Sequence, residues 1–265
     1  VNQNKGTSMD YTQLFQFSGR RVLVIGAGSG IGRESALALH AHGATVICAD
    51  RDAPSAAATA AQLGAGASAL QLDVLNQEAV RAVARDLTDL AALVFTAATN
   101  VRKRIADYTL DEFDRVVNLN LRAAFVLIQA FAPTMAANGG GSIIGFASIR
   151  AVTVEPGQGV YAATKAGLVQ LLRTAAAEYG PAGVRVNAIS PGVVETPLTA
   201  QIKNDPEWYN AYAAKSALGR WSTPSELAGA VVYLASDASR FVTGSVLTVD
   251  GGWTAVDGRF DPPNA

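Results

Sequence analysis

The chain has little of several things. Its 265 residues include one cysteine and two histidines, and the net charge is −1. Cys48 alone excludes an intrachain disulfide framework and any cysteine-cluster metal site. His40 and His42 cannot build a histidine-rich zinc site, so no metal is expected. Lys+Arg 21 against Asp+Glu 22 offers no general attraction for nucleic acid or an anionic membrane. No apolar run in the sequence approaches the ~18 residues of a membrane span, and no signal peptide is visible. The expectation is a soluble, cytoplasmic protein with neither nucleic-acid nor membrane partners. The scarcity of histidine also constrains chemistry: a proton-transferring enzyme here must use Tyr, Lys or carboxylates.

What is present is a single α/β domain. Nearly half of the residues, 49%, are hydrophobic, enough for a large core. Residues 1–18 read as a polar arm. Met9-Asp10 reads as a natural start, which makes Val1–Ser8 an appended leader. From Arg20, apolar runs alternate with helical segments. The strand-like runs are Val22–Ile25, Thr45–Ala49, Leu70–Asp73, Leu93–Thr96, Ser142–Ala147, Val184–Ile189 and Ser245–Val249. The longest helical stretches are Leu110–Ala137 and Val160–Tyr179. The strands are continuously apolar, as in a parallel sheet covered on both faces. A Rossmann-type doubly wound sheet of about seven strands follows, spanning 19–265. Thr199–Ala217 breaks the alternation with Trp208, Tyr209 and Tyr212, and reads as a lid at 199–217.

Val22–Ile25 runs into Gly26-Ala27-Gly28-Ser29-Gly30-Ile31-Gly32, and a helix follows. Glycines there let the backbone approach a pyrophosphate, and the helix start offers N–H groups and a positive dipole end. A flexible loop is the blander reading. Asp50 ends the second run, eighteen residues after Gly32, close to the ~20 expected of a ribose-binding acid. Its carboxylate would bind a ribose 2′-OH and repel a 2′-phosphate, which favours NAD over NADP. A helix-capping role is the alternative, and Arg51 could pair with a 2′-phosphate. Asp73-Val74 lies on the same edge and could meet the adenine.

Tyr161 and Lys165 stand four apart at the start of a helix, on one face. A nearby ammonium stabilises a phenolate, so the pair supplies an acid–base without histidine. By itself such a pair is as readily a surface contact. Ser148, thirteen residues before Tyr161, could hold a substrate oxygen beside the phenol or simply cap a turn. No Gly-x-Ser-x-Gly elbow surrounds Ser148, which argues against a Ser–Lys hydrolase.

Taken together, Gly26-x3-Gly30-x-Gly32, Asp73-Val74, Asn120, Ser148, Tyr161-x3-Lys165, Arg185-Val186-Asn187, Pro191-Gly192-x3-Thr196 and Asp250-Gly251-Gly252 resemble the short-chain dehydrogenase/reductase family over about Ser18–Trp253. The resemblance implies Tyr161 as acid–base, with Lys165 lowering its pKa and binding the nicotinamide ribose. It implies Ser148 orienting the substrate oxygen and Asn120 holding a water that relays the proton. It also implies a cofactor cradle of Gly26, Ser29, Gly30, Ile31, Asp50, Arg51, Asp73, Val74, Ala97, Ala98, Tyr161, Lys165, Pro191, Val194 and Thr196. Two positions depart from the family: Ile25 where Thr is common, and Phe95-Thr96-Ala97-Ala98 where Asn-Asn-Ala-Gly is common. The second departure puts the usual side-chain bonding of the cofactor floor in doubt.

The expected activity is hydride transfer between NAD(H) and a secondary alcohol or ketone, with a sugar, polyol or sugar acid as substrate. A 3-oxoacyl thioester or another ketone is the alternative, and a non-catalytic nucleotide sensor the reading from another class. Asn100, Arg102, Arg150, Glu155, Gln158 and Val193 are candidates to line the substrate. Arg102-Lys103-Arg104 attracts a carboxylate or is a solvated loop, and polar Glu155 and Gln158 suit a polyhydroxylated ligand. The two long helices carry Ala123, Ala124, Phe125, Ala166, Gly167 and Leu171, too apolar for a monomer surface. In similar proteins they pack across a two-fold, so a homotetramer is expected.

Overall fold

The computed structural model describes residues 10–256; Val1–Ser8, for which an appended segment is expected, lie outside them. Seven strands form one parallel sheet: β1 (Arg21–Ile25), β2 (Thr45–Asp50), β3 (Ala67–Gln71), β4 (Leu90–Phe95), β5 (Gly141–Phe146), β6 (Val184–Pro191) and β7 (Val246–Val249). Their order is β3-β2-β1-β4-β5-β6-β7, the doubly wound arrangement read from the sequence. The helices are α1 (Gly30–Ala41), α2 (Ala53–Leu63), α3 (Gln77–Asp86), α4 (Leu110–Val117), α5 (Ala123–Ala137), α6 (Gly159–Tyr179), α7 (Ala200–Lys203), α8 (Pro206–Ala213) and α9 (Ser225–Ala235).

Continuous apolarity follows from there being two cores. Successive side chains of a strand point to opposite faces. Leu23 and Ile25 pack with α3, α5 and α6, while Val22 and Val24 pack with α1, α2 and α9. The strand order reverses between β1 and β4, which opens a crevice at their carboxyl ends.

Several expectations shift. β3 ends at Gln71, so Asp73 lies in the following turn, where its Oδ1 accepts the Leu75 N–H at 2.9 Å. The polar arm reaches into the fold: Tyr11–Phe15 forms a 3-10 helix and Phe17 is fully buried beside α1. Leu110–Ala137 is long and apolar enough, by length and composition, to cross a membrane. Here its apolar residues Val126, Leu127, Phe131 and Met135 belong to the core against the sheet. It is also not one regular helix. Residues Asn118–Arg122 form a π-turn between α4 and α5, an irregularity common at functional sites. Of the small residues expected on an outer surface, Ala123 and Ala124 are buried within the chain's own core, and Phe125 stays exposed. Arg185 and Asn187 staple β6 to its neighbours, through the Leu234, Ser236 and Val242 carbonyls and the Ser245 N–H.

Candidate active site

The turn after β1 needs its glycines. Gly26 has φ +87°, and a Cβ there would lie 2.3 Å from Thr96 Oγ1. A Cβ on Gly32 would lie 2.0 Å from the Gly26 carbonyl oxygen. Helix α1 therefore starts closer to the strand end than any side chain permits. Ser29 is its N-cap by position but makes no side-chain cap bond, which leaves the first amides of α1 to a ligand. Asp50 is tied to this turn, its Oδ2 accepting Gly28 N–H and its Oδ1 accepting Asp52 N–H, each at 3.0 Å. Thr196 closes the ring from the other side, its Cγ2 lying 3.5 Å from where a Gly30 Cβ would sit.

These segments line a cleft of about 670 Å³ at the carboxyl edge of the sheet, within the range of small-molecule sites. Gly26, Ser29, Gly30, Ile31, Asp50, Arg51, Asp73, Val74, Ala97, Ala98, Ser148, Tyr161, Lys165, Pro191, Val194 and Thr196 all line it; Asn120 does not. The uncapped helix start, the glycine cradle and the carboxylate at the end of β2 fit a dinucleotide.

Ser148 follows β5 and begins a 3-10 turn; its Oγ accepts the Arg150 N–H at 3.2 Å, which leaves its own proton to donate. Ser148 and Tyr161 line the same cleft. Tyr161 and Lys165 open α6 and are both buried. Burial raises the phenol's pKa, against lowering by Ser148 and by the Arg102 and Arg150 guanidiniums. Lys165 lies close to the same ring. Its Nζ lies 5.6 Å from the Tyr161 ring centroid and donates to the Phe146 carbonyl at 2.7 Å. Burial pulls Lys165 itself down to about 8.

Asn120 sits in the π-turn, and its side chain is used up locally. Nδ2 donates to Thr99 O at 2.9 Å and Thr164 Oγ1 at 3.2 Å, and Oδ1 accepts the Thr99 N–H at 2.8 Å. It lines, with Lys165, an internal cavity of about 10 Å³, close to the space of one water.

Toward the substrate end, Arg150 is buried and paired with Glu155. The same carboxylate accepts from Tyr212 and, at 2.8 Å, from Gln158 Nε2. Glu155 and Gln158 are thus committed to one another and to Arg150, which corrects their expected role as hydroxyl contacts. The segment 199–217, expected to be a lid, contains α7 and α8. Tyr209 stacks on Trp221 at 4.9 Å and bonds Glu195 at 2.8 Å, and Tyr212 packs with Ile149, Ile202 and Trp253.

Thr96 belongs to the segment that departs from the family pattern. It pins the glycine turn by donating to Ile25 O at 3.1 Å, a bond between β4 and β1 that a single sequence does not display. Thr99, Arg115 and Leu119 also line the cleft without any sequence signal.

Comparison with known proteins agrees with this geometry. The family model described as Enoyl-(Acyl carrier protein) reductase matches residues 26–254. The galactitol 2-dehydrogenase (L-tagatose-forming) of Cereibacter sphaeroides is 37% identical over 252 residues, 93% of this chain and 99% of that one. The gluconate 5-dehydrogenase of Gluconobacter oxydans is 34% identical over 255 residues, with 93% and 99% covered. Among solved structures, a gluconate 5-dehydrogenase from Burkholderia cenocepacia in complex with NADP and tartrate superposes with TM-score 0.89 at 32% identity, with 93% and 100% covered. The chain belongs to the short-chain dehydrogenase/reductase family and is a nicotinamide-dependent oxidoreductase acting on a CH–OH group.

Proposed function

We propose that the protein interconverts a secondary alcohol and a ketone of a sugar, polyol or sugar acid, with NAD as the preferred cofactor. The observation that carries this reading is that Ser148, Tyr161 and Lys165 line one cleft with the glycine turn and Asp50. When bound, the nicotinamide takes up or returns the hydride. Tyr161 exchanges the carbinol proton at its phenolic oxygen, and Ser148 holds the substrate oxygen. Lys165, beside the one-water cavity at Asn120, is the group through which that proton reaches solvent. The lid at 199–217 excludes water above the reacting carbon. The polyol and sugar-acid relatives support the substrate class.

Cofactor choice turns on two neighbours. Asp50 favours a free 2′-hydroxyl, while exposed Arg51 lines the same cleft without an ion pair among the described residues. Arg51, with the NADP-bound relative, favours the second reading, NADP. One panel tests both points. Absorbance near 340 nm, an approximate wavelength of the reduced nicotinamide, is expected to rise with NAD+ and an alditol or aldonate. Unfolding temperature is expected to rise more with NAD+ than with NADP+. Silence across all secondary alcohols refutes the activity; a larger shift with NADP+ reverses the cofactor assignment.

The homotetramer rests on exposed Phe125 of α5 beside the partly buried Ala166, Gly167 and Leu171 of α6. Light scattering is expected to give the mass of four chains, and Phe125→Glu to give a smaller particle. A monomeric native mass defeats the assignment.

A further inference from the structure

Glu155 joins three elements through one carboxylate. It accepts from the buried Arg150 guanidinium, from Gln158 Nε2 at 2.8 Å and from the Tyr212 hydroxyl. Arg150 belongs to the turn that Ser148 begins, and its backbone N–H donates to Ser148 Oγ at 3.2 Å. Gln158 is buried at the N-cap of α6, three residues before Tyr161. Tyr212 is buried near the end of α8. One side chain thus ties the serine turn, the start of the tyrosine helix and α8 together.

Stability is a weak reason for such a cluster. Desolvating a guanidinium and a carboxylate offsets most of their attraction, so a buried pair contributes little net stability. Its bonds are directional, and they fix which groups face one another. The second tyrosine of α8, Tyr209, bonds Glu195, but that carboxylate is shared with exposed Lys203, where an ion pair holds little. Glu155 is therefore the stronger tether of α8. Glu155, Arg150, Gln158 and Tyr212 do not line the cofactor cleft, so the cluster acts through the residues it holds.

We propose that Glu155 is a positioning residue: its carboxylate clamps α8 to the Ser148 turn and to the start of α6, so that the segment over the substrate and the Ser148 and Tyr161 hydroxyls keep one relative geometry. The inference rests on the dehydrogenase reading and names the contact that aligns its site. A shift of ~1 Å in a reacting group costs about 10²-fold in rate, so a clamp outside the cleft can control turnover. The fold also supplies a reporter. The chain's three tryptophans, Trp208, Trp221 and Trp253, all pack on the Tyr212 ring, with centroids at 6.0, 5.8 and 5.4 Å. Tryptophan fluorescence therefore reads the seating of α8 without any substrate.

Tyr212→Phe removes one hydroxyl and one leg of the clamp, and leaves the ring and the Arg150–Glu155 pair in place. It is expected to raise acrylamide quenching of the tryptophans and to lower kcat with D-gluconate about tenfold, while calorimetric NAD+ affinity stays native. Glu155→Ala cuts every leg and should lower kcat further. Tyr212→Phe added to Glu155→Ala should then change nothing more, because the partner is already gone. Glu207→Gln, exposed on the same helix, should behave as the native protein. If Glu155→Ala does not fold, Tyr212→Phe decides alone. Native kcat and quenching in Tyr212→Phe, even with a lower unfolding temperature, overturn the assignment, as do additive losses in the double variant. If the native enzyme oxidises neither D-gluconate nor the alditol D-glucitol, it is the dehydrogenase reading that fails, and quenching in Tyr212→Phe still decides the clamp.

Discussion

Tyr161→Phe is expected to lower kcat by about 10³–10⁴-fold, in the upper range of a lost general acid–base, while NAD+ binds as before. The ring stays and only the hydroxyl goes, so the packing of α6 is preserved. The composition explains why no other group substitutes. His40 lies in the last turn of α1, His42 just after it, and neither lines the cleft. Ser148 shares the site, yet its Oγ already accepts from the Arg150 amide and has no base of its own. The pH profile should carry the same signature. Burial holds the phenol above its ordinary pKa, so alcohol oxidation, which needs the phenolate, should rise with pH in the native enzyme. The Phe variant should be flat over that range. Measuring kcat across pH together with cofactor titration checks both, and native turnover by the Phe variant refutes the role.

Lys165→Met should separate catalysis from stability. Turnover should fall about 10²–10³-fold, the scale of a disabled proton relay, yet the variant should unfold at a higher temperature at neutral pH. Lys165 titrates at about 8 in the folded chain against its usual 10.5, because burial penalises the ammonium. Below pH 8 the folded protein carries the full penalty, about 3 kcal/mol by the pKa difference. Between 8 and 10.5 the unfolded chain binds the extra proton, so this contribution to stability rises with pH. Methionine removes the penalty and that slope, and it also loses the 2.7 Å bond to the Phe146 carbonyl, a cost of about 1 kcal/mol. The net gain of about 2 kcal/mol corresponds to roughly 4–8 °C for a chain of this length. Thermal unfolding of both proteins at pH 7 and pH 10 checks it. The gap should close at the higher pH, and a variant less stable at pH 7 contradicts the argument.

Much of this was legible before folding. The sheet order follows from apolar runs alternating with helical ones, because right-handed crossovers leave few topologies. Gly26, Asp50, Ser148, Tyr161 and Lys165 stand at strand ends or helix starts, where sequence position already implies the carboxyl edge. What a single sequence does not display are the bonds whose partners lie far along the chain. Lys165 bonds Phe146, Asn120 bonds Thr99 and Thr164, and Thr96 bonds Ile25. The apolar helix Leu110–Ala137 reads alike whether its partner is another subunit or its own sheet.

The same division runs through the acid–base chemistry and the substrate. Scarcity of histidine and the i, i+4 placement of Tyr161 and Lys165 already dictated which groups can carry a proton, because residue type and local geometry need no distant partner. Which of the basic residues meets a carboxylate was a tertiary matter. Arg102, Lys103, Arg104 and Arg150 are all basic residue types. Only folding brought Glu112 to Lys103 and Glu155 to Arg150 and, among the described residues, left Arg102 against Trp208 with no carboxylate, since charge compensation depends on which side chains meet.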